Sequence, residues 1–115
     1  MEDTMKLAIA KNNDLVHEFF GSCNEFVIVE IEEGKVISTE VIFNDTETHK
    51  LRPNYLKKLG VNALVIKGLG LTAYELLQEN GIDLYTSEPI LITEAINKFL
   101  NNELAEMEVP AGAHC

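Results

Sequence analysis

Cysteine and basic side chains are scarce in this 115-residue chain, and each shortage removes a class of function. Two cysteines, Cys23 and Cys115, cannot build a disulfide framework, so a reducing cytoplasm is the expected compartment. Nine Lys and Arg stand against nineteen Asp and Glu, for a formal charge of −10. Proteins that grip nucleic acid neutralise phosphates with basic side chains, so this balance argues against such a partner. The nearest thing to a basic patch, Lys50, Arg52, Lys57 and Lys58, has the spacing of one solvated helix face. Apolar runs fall well short of the ~18 residues a membrane-spanning helix needs. The opening Met1 to Lys6 also lacks the basic-then-apolar order of a secretory leader, so no membrane association is expected.

What is present suits one soluble core. With 46% hydrophobic and 24% charged residues, the chain reads as a single domain over 1–104. Residues 105–115 have no period and read as a flexible C-terminal tail.

Lys6 to Ala10 reads as a short strand, ended by the turn-forming side chains of Lys11 to Asp14. Phe26 to Ile31 and Val36 to Phe43 are β-branched and apolar, and the glycine-containing stretch Glu32 to Lys35 joins them as an antiparallel hairpin. From Leu51 the period changes from two to about 3.6. Leu51, Tyr55, Leu56 and Leu59 share one helical face, with Pro53 in the first turn and Gly60 after the last. Ala63 to Ile66 is a short buried strand, and Thr72 to Asn80 a second helix ending at a left-handed cap, Asn80-Gly81. Ile82 to Tyr85 is the last strand. Ile92, Ala95, Ile96, Phe99 and Leu100 then mark a third helix.

The order is β-β-β-α-β-α-β-α. Right-handed crossovers with helices on both faces predict a three-layer α/β/α fold. Counting the five strands in chain order, the mixed sheet should run 3-2-1-4-5. The loops 11–24, 44–49, 68–70 and 86–89 then gather at one end of the sheet, where an open α/β sheet places its ligand crevice.

Val16 to Phe26 is the densest collection of ligand atoms in the chain, with His17, Glu18, Cys23 and Glu25 around Gly21. A Cys23 thiolate would suit iron or a related metal; its alternative is a small apolar residue packed at the mouth of a strand. One thiolate cannot fill a four-thiolate shell, so a cluster needs imidazoles, exogenous thiols or a second chain across a homodimer. The His17–Cys23 spacing is not a zinc signature. His49 opens the first helix at the same edge and is the next candidate, against the alternative of a solvated loop imidazole. His114 and Cys115 form a soft-metal pair if the tail is ordered.

Gly68-Leu69-Gly70-Leu71-Thr72-Ala73 fits G-x-G-x-x-A between a strand and a helix, and Glu88 lies near the distance expected of a ribose-binding acid. The motif comes too late for a dinucleotide fold to be completed after it. A modest version survives, in which the helix N-terminus and Lys67 hold an anion; the alternative is a tight turn. Two-metal nuclease chemistry is rejected, because the first strand carries no acid and Glu30 and Glu40 have no evident partner. No Ser-His-Asp arrangement is visible from spacing.

Taken in order, the opening strand, Val16, Glu18, Phe20 to Phe26, the hairpin, His49 and the run Leu59 to Gly70 resemble the dinitrogenase iron–molybdenum cofactor biosynthesis family. Leu76-Leu77, Asn80-Gly81-Ile82, Glu94-Ala95-Ile96 and Leu100 with Glu103-Leu104 extend the likeness to nearly the whole chain. The resemblance implies a ribonuclease-H-like fold. It also implies binding or carriage of an iron–sulfur or iron–molybdenum type cluster or its precursor, with a cluster donor or acceptor protein as partner and no catalysis. Cys23 and His49 would be the metal ligands, joined by His17, while Gly68 and Gly70 bring backbone donors. One position departs from the family, since Phe19 stands where a histidine usually precedes the Phe-Gly pair. That departure keeps a second reading open: a cofactor-free interaction or regulatory module, with Phe19 and Phe20 as anchors if exposed and as core if not.

Overall fold

The computed structural model describes residues 4–18, 25–43 and 56–108. β1 (Thr4–Asn12) is the central strand, and Leu7, Ala8, Ile9 and Ala10 are all fully buried because both its faces are covered. The chain reverses at Asn13, whose φ of 57° is a left-handed conformation that asparagine tolerates. It returns as β2 (Leu15–Val16), paired antiparallel with Asn12 and Lys11. β3 (Glu25–Glu32) and β4 (Lys35–Phe43) form the expected hairpin. Its two loop residues, Glu33 and Gly34, have φ of 53° and 78°, the type I′ geometry that follows the twist of the flanking strands.

Residues 56–58 are helical, and the remainder of the expected first helix, 51–55, lies outside the described residues. β5 (Ala63–Ile66) leads into α1 (Leu71–Glu79), then β6 (Asp83–Thr86), α2 (Ile92–Leu100) and β7 (Ala105–Glu106). The cap expected at Asn80-Gly81 is present. Gly81 has φ 75°, its N–H donates to Gln78 O at 3.0 Å, and Ile82 N–H donates to Leu77 O at 3.0 Å. These paired bonds satisfy the last helical carbonyls, and the buried Ile82 and Leu77 share one core cluster beside them.

The protein is a mixed α/β fold whose described residues form one seven-stranded sheet in the order β4-β3-β1-β5-β6-β7, with β2 paired to β1. β1, β5 and β6 are parallel, and the remaining pairings are antiparallel. The expectation of five strands is therefore corrected to seven. The two additions, β2 and β7, are two residues long, and such short pieces carry no alternation for a sequence to display. β7 also moves the start of the expected tail. Ala105 and Glu106 pair with β6, and Met107 N–H donates to Leu84 O at 2.9 Å. Both β7 side chains are exposed, so backbone pairing holds the strand while the flanking Leu104 and Met107 pack on the cores of the two faces. The rest of the expected tail, 109–115, lies outside the described residues.

Each face of the sheet has its own core. Ala8, Ala10, Phe26, Ile28, Leu64 and Ile66 pack under Leu56 and the α1 residues Ala73 and Leu77. Leu7, Ile9, Val27, Val29, Ile31 and Val65 pack under Ile92 and Ala95 of α2. The alternation of neighbours along β1 between the two clusters is the period of two at work.

On the α2 side the ring of Tyr85 meets Phe99 edge-on, with centroids 5.3 Å apart and planes at 85°. Burial, and then the Asp83 and Glu106 carboxylates, push the Tyr85 phenol above its ordinary pKa of 10.0. For a raised folded-state pKa the stabilisation is complete below the unfolded value and is lost as pH rises through the folded one. Tyrosinate absorbance is therefore expected to show a step above pH 10.0 that disappears in Tyr85→Phe. Persistence of that step in the variant would remove the assignment.

Candidate functional site

The C-terminal ends of β1, β5 and β6 lie side by side, because these strands are parallel neighbours. Three segments leave that end: 13–18, 67–70 and 87–91. Backbone hydrogen bonds fasten them together. His17 N–H donates to Ala10 O at 2.8 Å, Lys67 N–H to His17 O at 3.2 Å, and Gly68 N–H to Glu18 O at 3.1 Å. On the other side, Val16 N–H donates to Ile90 O and Ile92 N–H to Asp14 O, each at 2.9 Å. The β1–β2 hairpin is thus clamped between the segments that follow β5 and β6.

Lys67 is the hub of this edge. Its carbonyl accepts a 2.8 Å bond from Thr86 Oγ1, which ties the ends of β5 and β6. Its Nζ lies 3.6 Å from Glu18 Oε2 and 3.6 Å from Glu88 Oε1. The lysine side chain is 41% exposed, so each ion pair contributes at most about 1 kcal/mol. Beyond Lys67, α1 begins at Leu71 with Gly70 as its N-cap. Gly70 has no side chain to cap it, and the first turn of the helix carries no acid. That is the electrostatic arrangement of an anion-accepting end.

The sequence candidates meet different fates. His17 is half-buried at this edge, and its backbone links β1 to Lys67. The N–H of Gly68 is committed to Glu18 O and offers no donor to a ligand. A Cβ on Gly68 would sit an ordinary 3.7 Å from Glu18 O, so packing there does not demand glycine. Gly70 stands at the start of α1, and its carbonyl accepts from Tyr74 N–H at 3.0 Å. Cys23 and His49 lie outside the described residues, as do Phe19, Phe20, His114 and Cys115. Among the described residues, no group of three His, Cys, Asp or Glu is placed to hold a metal ion.

The sequence reading missed the Glu18–Lys67–Glu88 arrangement. Its signal was available, since all three residues follow strands whose ends were expected to converge. A cavity of about 240 Å³ adjoins this edge, lined in part by Ser87, Glu88 and Ile90. A larger one, about 700 Å³, lies at the opposite end of β1 among Thr4, Met5, Ile31, Phe99 and Leu104. Its lining is mainly aliphatic and aromatic and includes neither His17 nor either glycine of the motif, so its size does not make it the chemical site.

Comparison with known proteins places this arrangement in context. An uncharacterized protein of Methanocaldococcus jannaschii is 33% identical over 109 residues, covering 90% of this chain and 92% of its own. The crystal structure of a protein from the same organism, proposed to be a dinitrogenase, superposes with a TM-score of 0.79 at 33% identity, covering 93% of this chain and 98% of that one. A Thermotoga protein proposed to be NifB gives a TM-score of 0.75 at 26% identity, covering 94% and 99%. The dinitrogenase iron–molybdenum cofactor family matches residues 4–102 of the 115, and this protein belongs to it.

Proposed function

We propose that this domain binds or carries an iron–sulfur or iron–molybdenum type cluster, or its precursor, as cargo at the edge formed by β1, β5 and β6. Family membership supports a role in metallocofactor biosynthesis. The observation that carries the specific reading is the convergence of His17, Lys67 and the uncapped start of α1 at one sheet end. A metal–sulfur cluster is an anion with soft metal centres. It needs thiolate or imidazole ligands and positive potential nearby. Cys23, His49 and His17 supply the first, and Lys67 with the α1 N-terminus the second. Gly70 keeps the α1 backbone open to the cargo, while Gly68 spends its N–H on Glu18 O. The scaffold in this reading is a ribonuclease-H-like α/β/α sandwich whose five longer strands form the core of the sheet. The domain works in the cytoplasm with a cluster donor or acceptor protein, and no catalytic step is assigned to it. No helix among the described residues is long and apolar enough to cross a membrane.

The test is anaerobic titration of the purified protein with iron and sulfide, read by visible absorbance and bound-metal analysis, with Cys23→Ala alongside. Stoichiometric colour that is lost in the variant is the expected result. Binding that is indifferent to Cys23 removes it as a ligand.

A second reading has its own support. Phe19 replaces the family histidine, and Lys67 is already paired with two carboxylates. Both favour a cofactor-free interaction or regulatory module, and absence of any metal uptake in the titration selects it.

A further inference from the structure

β4 ends the sheet order, and among the described residues no strand pairs with its outer edge. Proteins usually blunt such an edge by keeping it short, charging it, or adding proline. β4 is nine residues long, with neither proline nor glycine. Its only charges are Lys35 at the start and Glu40 inside, and every residue but Ile42 is exposed.

The exposed apolar residues share one face. Residues opposite each other in a ladder lie on the same side of the sheet. Val36 opposes Ile31, Thr39 opposes Val29 and Val41 opposes Val27, and those three β3 residues belong to the core under α2. Ile37 is the extra residue at the irregularity beside Ile31, and alternation from Thr39 and Val41 puts it on that face too. The α2-side core therefore runs on to the rim of the sheet, where Val36, Ile37 and Val41 are 40%, 52% and 49% exposed.

We propose that two copies of this chain pair antiparallel through β4, about a two-fold axis at Thr39, joining their sheets into one. Register singles out this occupant. Because opposed side chains share a face, a two-fold axis normal to the sheet must pass through a residue. Through Thr39 it sets Ile37 against Val41 of the second copy, twice, and Ser38 against Glu40, twice. Apolar meets apolar, and a hydroxyl meets a carboxylate. Moving the axis to Glu40 keeps an apolar pair, Ile37 with Phe43, but brings two carboxylates face to face and sets Ser38 against Ile42. Moving it to Ser38 sets Ile37 against Thr39, twice, so the apolar pair is lost. The segment is self-complementary in one register and mismatched in its neighbours. Each copy carries a formal charge of −10, so the pairing must work against net repulsion and should strengthen as salt screens it.

Light scattering coupled to size exclusion on the full chain tests this. A mass about twice 12.8 kDa is expected, approached as concentration and salt rise, and Ile37→Lys with Val41→Lys should return it to 12.8 kDa with an unchanged circular dichroism spectrum. Register is read by cross-linking in a Cys23→Ser, Cys115→Ser background. Directly opposed Cβ atoms lie about 4.5–5.5 Å apart, close enough for a disulfide after small adjustment. Thr39→Cys should therefore form a covalent dimer under mild oxidation much faster than Glu40→Cys. A monomer at every concentration and salt overturns the proposal, as does a dimer that Thr39→Cys fails to cross-link preferentially. The cysteine test stands even if the double-lysine variant does not fold.

Discussion

Replacing Phe26 with Ala is expected to lower the unfolding free energy by about 3–5 kcal/mol, the largest effect of any single truncation argued from this structure. Phe26 is fully buried, opposite Ala10 on β1 and Ile42 on β4. The reason for the size of the effect lies in its neighbours. On this face β1 contributes only Ala8 and Ala10, and the volume these short side chains leave is taken up by larger ones in the same cluster, Phe26 among them. With the ring gone, two alanines on a fully buried strand cannot swing in to close the gap, so a cavity cost adds to the lost transfer energy. A domain of this size has roughly 5–15 kcal/mol in total, so the melting midpoint should fall by roughly 10–25 °C. Urea unfolding monitored by circular dichroism measures it. A loss below about 1 kcal/mol would mean that the α1-side core repacks freely, contrary to the packing described. Leu91 provides the contrast: it is 46% exposed, and its truncation should cost far less.

The second large effect concerns binding. Lys67→Glu is expected to weaken uptake of an anionic cluster by about tenfold or more while lowering stability by about 1–3 kcal/mol. The lysine sits between Glu18 and Glu88, beside the uncapped start of α1. Two unit charges about 4 Å apart interact by ~1 kcal/mol in water and by ~4 kcal/mol in a partly shielded site. At 41% exposure the lower end applies, and reversal both removes an attraction and adds a repulsion. The sum, roughly 2 kcal/mol, corresponds to more than a tenfold change in affinity. Stability should fall by about 1–3 kcal/mol, because reversal loses two exposed ion pairs of at most ~1 kcal/mol each and sets a third carboxylate beside Glu18 and Glu88. The anaerobic iron and sulfide titration gives the affinity and a thermal melt gives the control. Unchanged affinity in a folded variant would take Lys67, and with it the α1 end, out of the site.

Much of the local structure could be read from residue types. The glycine-containing stretch Glu32 to Lys35 between two β-branched runs announced a hairpin, and the structure closes it with positive φ at Glu33 and Gly34. Asn80-Gly81 announced a helix end, because a left-handed cap favours glycine. Ile92, Ala95, Ile96, Phe99 and Leu100 announced α2 by their spacing, and the structure packs them all against one face of the sheet. The candidate edge was foreseen as a meeting place of loops, but its wiring was not. Nothing in the string Lys67-Gly68 says that both N–H groups are claimed by His17 and Glu18, some fifty residues earlier. The two-residue strands β2 and β7 escaped for a related reason: their partners define them, while their side chains show no pattern.

The amino-acid sequence by itself determined the β3–β4 hairpin, the end of α1, the net charge and the family. These depend on φ preferences, on side-chain period and on composition, all of which act within a few residues or over the whole chain without regard to geometry. Only the tertiary structure decided that Lys67 is shared between Glu18 and Glu88, that Gly68 spends its donor inside the fold, and that β4 carries an apolar strip to the rim of the sheet. Those features come from strands far apart in sequence being brought into register by the burial of β1, and register is a property of pairs that no single segment encodes.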